Sequence, residues 1–111
     1  MVMPVQVKWT AQATKAITQI INWGKLNFSE QTIARLFYKI ISYETPLTNN
    51  PYMGALEPLL AGRKLPYRSL VIHEHYKLIY YVDEKKERLY ISDVWDTRRK
   101  PMTLTKRIRT K

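Results

Sequence analysis

The residues of this chain best suited to chemistry are basic and aromatic, and they gather in its second half. Arg68, Lys77 and Tyr81 lie in a run of strand-like sequence, and Arg98, Arg99 and Lys100 follow the last such run. Cations on a rigid sheet can clamp a phosphate, where positive charge already in place stabilises the charge that develops in a reaction. An aromatic ring beside them can stack on a nucleobase. The plainer reading of Lys77 and Arg98 is solvated surface charge, and of Tyr81 packing within the sheet. His73 and His75 have a spacing that could suit acid–base work or a metal ion. Two histidines without carboxylate or thiolate neighbours are more simply an exposed turn, so neither a metal nor a cofactor is expected. Trp9, Trp23 and Trp95 are read as core or partner-contact residues.

These side chains need elements to hold them. Val5 to Trp9 alternates apolar and polar residues and reads as a strand. Thr10 stands where a helix N-cap belongs, ahead of Ala13, Ala16, Ile17, Ile20 and Ile21 at helical spacing. Gly24 and Asn27 mark the end of that helix. Ser29 caps a second one, Phe28 is placed to staple onto Ile33, and the stripe continues through Phe37, Ile40 and Ile41. From Pro46 to Pro66, prolines, asparagines and glycines predict a long loop with at most one short turn. Three strands then follow, Tyr67 to Ile72, Tyr76 to Asp83 and Arg88 to Trp95, with breaks short enough for an antiparallel meander.

The expected fold is therefore α+β. An N-terminal strand precedes a two-helix hairpin and a three-stranded antiparallel meander, with the helices packed on one sheet face. In the middle strand Leu78, Tyr80 and Val82 make the better core face, leaving Lys77, Ile79 and Tyr81 on the other. A turn centred on Glu74-His75 would pair Lys77 near Ile72 and Tyr81 near Arg68, placing Arg68, Lys77 and Tyr81 together on the open face.

Composition narrows the function classes. The 111 residues suit one domain, residues 1–111, with a basic C-terminal tail over about 97–111. There is no cysteine, which excludes disulfides, thiolate zinc sites and a cysteine nucleophile. Met1 to Thr10 lacks the apolar core of a signal peptide. The longest apolar run, Leu78 to Val82, is far below the ~20 residues that span a bilayer, so a cytoplasmic location without membrane contact is expected. Nineteen Lys and Arg against nine Asp and Glu give a net charge of +10, and the last fifteen residues carry seven basic residues and no acidic one. Such a field draws in polyanions: nucleic acid, a ribosome or an acidic protein segment.

The hairpin Tyr67-Arg68-Ser69-Leu70-Val71-Ile72 and Tyr76-Lys77-Leu78-Ile79-Tyr80-Tyr81-Val82-Asp83, with the later Asp96-Thr97-Arg98-Arg99-Lys100-Pro101, resembles the RelE/ParE superfamily of bacterial toxins. The order strand, helix, helix, meander is similar too, so the resemblance spans nearly the whole chain. It implies the toxin component of a type II toxin–antitoxin system, bound and neutralised by a cognate antitoxin whose acidic C-terminal segment wraps it. RelE-like members are ribosome-dependent endonucleases of messenger RNA. ParE-like members inhibit DNA gyrase without catalysis, and one fold serves both.

The resemblance implies phosphate contacts for Lys77, Arg68 and Arg98, with Arg99 and Lys100 on nucleic acid or antitoxin. Glu57-Pro58-Leu59 matches the context of the YoeB-like general base, against the plainer reading of a surface glutamate in a proline-flanked loop. Leu70 replaces a RelE-like lysine, Leu104 falls near a RelE-like tyrosine, and Thr97-Arg98 stands where YoeB-like members carry histidine and tyrosine. Three readings stay open: first, a metal-independent endoribonuclease acting with ribosome and messenger RNA; second, a gyrase inhibitor; third, an inactive antitoxin-binding member.

Overall fold

A computed structural model describes residues 4–108; the Arg109 and Lys111 of the basic tail lie outside them. Strand β1 (Gln6–Trp9) leads into helix α1 (Ala11–Asn27) and helix α2 (Glu30–Ile41). Both helices begin as their sequences direct. The Thr10 hydroxyl accepts from Ala13 N–H, and the Ser29 side chain accepts from Thr32 N–H. Gly24 sits where α1 crosses α2: a Cβ there would lie 2.0 Å from Ile33 Cδ1, so only glycine allows this approach without moving that side chain.

The stretch expected to be loop carries more structure. Helix α3 (Glu44–Asn49) is followed by the two-residue strand β2 (Ala55–Leu56) and one 3-10 turn, Pro58–Leu60. Pro46 falls in the first turn of α3, where its missing N–H costs nothing. Strands β3 (Arg68–His73), β4 (Tyr76–Asp83) and β5 (Arg88–Asp96) form the expected meander.

Together the strands make one sheet in the order β1-β5-β4-β3-β2, antiparallel except where β1 runs parallel to β5. Helices α1 to α3 cover one face. There Ala13, Ala16 and Ile17 meet Leu78, Tyr80, Leu89, Ile91 and Val94, the small alanines letting α1 lie close on β5.

The opposite face is partly open, as expected, but an unexpected element covers the rest of it. Residues read as a basic tail form helix α4 (Pro101–Arg107), opened by a proline at its first position. Leu104 and Ile108 pack with Leu60, Tyr67, Ile79 and Trp95 in a second core. Leu104 and Ile108 are spaced i, i+4, a helical interval overshadowed in the sequence by the surrounding charges.

The register also differs. An irregularity between Val71 and His73 pairs Lys77 with Val71 and Arg68 with Tyr80. Since faces alternate, that one-residue slip puts Arg68 on the face of Tyr80, away from Lys77 and Tyr81. In β5 a bulge at Ser92 lets Asp93 and Trp95 share one face with Arg88 and Tyr90, so simple alternation fails along that strand.

Candidate functional site

Lys77 and Glu57 are brought together. The turn at Pro58–Leu60 folds Glu57 back under β3 and β4, where only 2% of it is exposed. Lys77 Nζ donates to Glu57 Oε1 at 3.0 Å, and Leu59 N–H donates to Oε2 at 2.8 Å. Burial works against ionising Glu57, but hydrogen bonds from Leu59, Lys77 and Ser69 outweigh it and hold the carboxyl below its usual range. The glutamate is thus a buried anion and not a surface group. The ammonium, 27% exposed on its side chain, is its counter-ion.

The remaining predicted residues stand apart from that pair. Arg68 lies on the helix-covered face, donates to Gly54 C=O at 2.7 Å and rests over the Tyr52 ring at 5.0 Å. Gly54 N–H donates to the Tyr80 hydroxyl at 2.9 Å, so this loop is tied to the sheet at both backbone groups. Arg98 is held by Asp96 through two bonds, Nε to Oδ1 at 3.0 Å and Nη2 to Oδ2 at 2.9 Å. That contact is the main force lowering the Asp96 carboxyl. Arg99 stacks on Trp95 at 5.4 Å, and exposed Lys100 is the N-cap of α4. Tyr81 stays on the second face, half-buried in a row of tyrosines: edge-on to Tyr67 at 5.5 Å and stacked on Tyr90 at 5.2 Å.

Two features were not singled out in the sequence. Asp93, fully buried, receives Arg107 through two bonds of 2.8 and 2.7 Å, and Arg107 also lies over Trp95 at 5.8 Å. Burial pushes the Asp93 carboxyl up, although Arg107 opposes it. No local motif marks this pair, because α4 has to dock before the two can meet.

The second is a groove of about 330 Å³ between α1, α2 and the β3–β4 turn. Ile20, Trp23, Phe28, Ile33 and Leu36 line it, with Arg35, Lys39 and Arg98 among its polar residues. Its aromatic end is open, with Trp23 and Phe28 about half exposed and packed edge to face. The signal was present in α2, whose apolar stripe is continuous although only Ile40 is buried. His73 and His75 also line the groove. Among the described residues no three side chains of the metal-ligating types stand close enough to hold an ion. Nor is any described helix long and apolar enough to cross a membrane.

Residues 7–101 match the family model of the ParE toxin of type II toxin–antitoxin systems, parDE. No curated protein sequence matches the chain. Among solved structures it is similar to a chain of the chromosomal ParDE toxin–antitoxin system of P. aeruginosa. That match has a TM-score of 0.66 and 17% identity, covering 84% of this chain and 96% of the other. It is similar also to a chain of the toxin–antitoxin complex RelBE2 of Mycobacterium tuberculosis, with TM-score 0.57, 18% identity and coverage of 86% and 94%. A metal-bound toxin from Helicobacter pylori shares the fold at TM-score 0.53 and 14% identity, covering 83% and 93%.

Proposed function

The chain belongs to the ParE toxin family of type II toxin–antitoxin systems, and from that premise we propose that it acts by binding, with DNA gyrase as its target and no cleavage of RNA. It is a toxin of the RelE/ParE superfamily, and the choice between the two activities rests on its cations. The observation that carries the binding reading is that the three candidate phosphate ligands are separately satisfied. Lys77 pairs with Glu57, Arg98 with Asp96, and Arg68 with Gly54 C=O on the opposite sheet face. A phosphoryl-transfer site needs its donors converging on one position where charge develops. Here each cation would first have to leave an internal acceptor.

The antitoxin of this reading is a protein whose acidic, amphipathic segment occupies the groove between α1, α2 and the β3–β4 turn. Apolar walls with nearby arginine and lysine suit such a segment, and the toxin's +10 charge favours an acidic partner.

A second reading keeps one specific observation in its favour. Glu57 is an ionised, buried carboxylate hydrogen-bonded to Lys77, an arrangement that could serve a general base and phosphate ligand acting on ribosome-bound messenger RNA.

The two readings separate in a pulse of toxin expression without antitoxin, followed by labelled thymidine and labelled amino acid. On the binding reading DNA synthesis falls first, and purified gyrase stops supercoiling at saturating toxin. Early collapse of protein synthesis with cut transcripts, abolished by Lys77→Ala, would replace it with the nuclease.

A further inference from the structure

The α1–α2 hairpin carries a second apolar surface beside the groove. A shallow hollow of about 560 Å³ is lined by Ile21, Phe28, Ile33, Ala34, Phe37 and Tyr38, of which only Phe28 and Ile33 also border the groove. It lies open: Phe28 and Phe37 are exposed, Tyr38 is 71% exposed, and Leu26 near the end of α1 is more exposed still. The two surfaces differ in charge. Arg35, Lys39 and Arg98 line the groove with no carboxylate among its lining residues, whereas the hollow holds one cation, Lys25, and one anion, Glu30. An acidic segment or a nucleic acid, drawn by the +10 charge, gains little at a neutral surface that presents a carboxylate. An apolar surface of balanced charge suits a partner with the same properties.

We propose that this face pairs with the same face of a second copy of the chain, joining two α2 helices antiparallel about a two-fold axis at Ala34. In such a contact, positions equally spaced about the axis face one another. Glu30 and Tyr38 flank Ala34 at i−4 and i+4, on one row of the helix. Each Tyr38 hydroxyl would therefore stand opposite the partner's Glu30 and donate to its carboxylate, twice by symmetry. Ala34 is exposed and small, so the helices can close in at the axis. Phe37, packed edge to face with Tyr38 at 6.2 Å, enters the contact with it.

The net charge sets how this association answers to salt. Two copies of a +10 chain repel each other, and salt screens that repulsion while leaving the apolar contact in place. Dimers should therefore tighten as salt rises, where an acidic partner in the groove would loosen. Helix α2 has 12 residues, so the interface is small, and dissociation in the range of about 10–100 μM is expected. The pairing depends neither on gyrase nor on an occupant of the groove.

Sedimentation equilibrium of the full chain at low and high salt is expected to show monomer and dimer, with an association constant that rises at least about fivefold with salt. Ala34→Arg puts two like charges at the axis and should lower that constant by at least about tenfold. The chain has no cysteine, so Ala34→Cys reports on this one position. Helices packed through small residues lie about 8–10 Å apart with Cα atoms about 2.3 Å off each axis, which brings the two positions within roughly 5 Å. A disulfide spans about that distance. Ala34→Cys should thus oxidise to a covalent dimer faster than Met102→Cys, exposed on α4. A chain that stays monomeric at both salt concentrations overturns the pairing. Dimers that Ala34→Arg leaves unchanged, or Ala34→Cys cross-linking no faster than Met102→Cys, overturn its placement on α2. Dimers that weaken as salt rises overturn the apolar, charge-balanced contact. Circular dichroism checks the fold of each variant, and if Ala34→Arg does not fold, the cross-linking of Ala34→Cys decides.

Discussion

Glu57 shows how one residue can be legible in type and illegible in state. Its Glu-Pro-Leu context marks it from sequence, but the proline-flanked loop suggested a solvated side chain. Burial of the carboxylate depends on the 3-10 turn and on the pairing of β3 with β4, neither of which the local sequence specifies. The consequence can be measured. Its folded pKa lies below the usual value of about 4.3, so its stabilisation is present above that pH and is lost as pH falls through the folded value. Asp96 runs in the same direction through its contact with Arg98. Asp93 runs the other way: its raised pKa favours the fold at low pH, and that contribution is lost as pH rises through the folded value. Glu57→Gln should therefore destabilise the protein near neutral pH, by about 1–3 kcal/mol for a partly exposed lysine left without its partner. It should also make the acid limb shallower. Urea midpoints at pH 6 and pH 3 test this, and equal losses for wild type and variant would remove the pair from the account of acid stability.

At the scale of elements, the parts carried by periodicity and capping were legible, and those fixed by distant pairing were not. Thr10 and Ser29 cap the helices they were expected to cap, and β4 runs over the expected residues, Tyr76 to Asp83. The bulge at Ser92 was invisible because it is defined only against β4, and with the β3–β4 irregularity it decides which side chains share a face. That is why the expected trio of Arg68, Lys77 and Tyr81 lost Arg68, while Tyr81 gained Tyr90 and Lys8.

Helix α4 was obscured for a different reason. Its charges look like a solvated tail until Arg107 is seen to meet Asp93 across the sheet. Asp93 is fully buried while Arg107 keeps 18% of its side chain exposed, so removing the arginine leaves a buried charge uncompensated, which costs about 3–5 kcal/mol. Arg107→Ala should lower stability by that order and loosen α4, seen as faster amide exchange over Pro101–Arg107 and exposure of Trp95. Replacing both members, Asp93→Leu with Arg107→Met, should recover much of the loss, since it leaves no orphaned charge. A double variant as unstable as the single one would mean that the pair's geometry, and not its electrostatic balance, seats the helix.

At the scale of the whole molecule the surface divides by face. On one side of the sheet the two-helix hairpin leaves an apolar groove with basic neighbours, and on the other a tyrosine row stands beside a partly covered core. A domain this small, with one sheet to share between its layers, cannot bury every apolar stripe it carries. The stripe on α2 shows this most clearly, keeping Phe37 and Tyr38 exposed while only Ile40 is buried. Such exposure is tolerable if a partner covers it, and at the groove the +10 charge favours an acidic one.

The charge and the apolar walls should then act on different steps of association. Arg35→Glu with Lys39→Glu removes four units of net positive charge at the groove and leaves its apolar lining residues in place. If the antitoxin's segment is acidic, as proposed, its on-rate should fall by roughly tenfold at low salt, with the difference shrinking as salt rises, while the off-rate changes less. Trp23→Ala should do the reverse, leaving the on-rate close to wild type and speeding dissociation, because it removes an anchor and not a field. Stopped-flow association and dissociation at two salt concentrations separate the steps. If the charge reversal leaves the on-rate and its salt dependence unchanged, the antitoxin's acidic segment does not enter by this groove, and the groove belongs to the target instead.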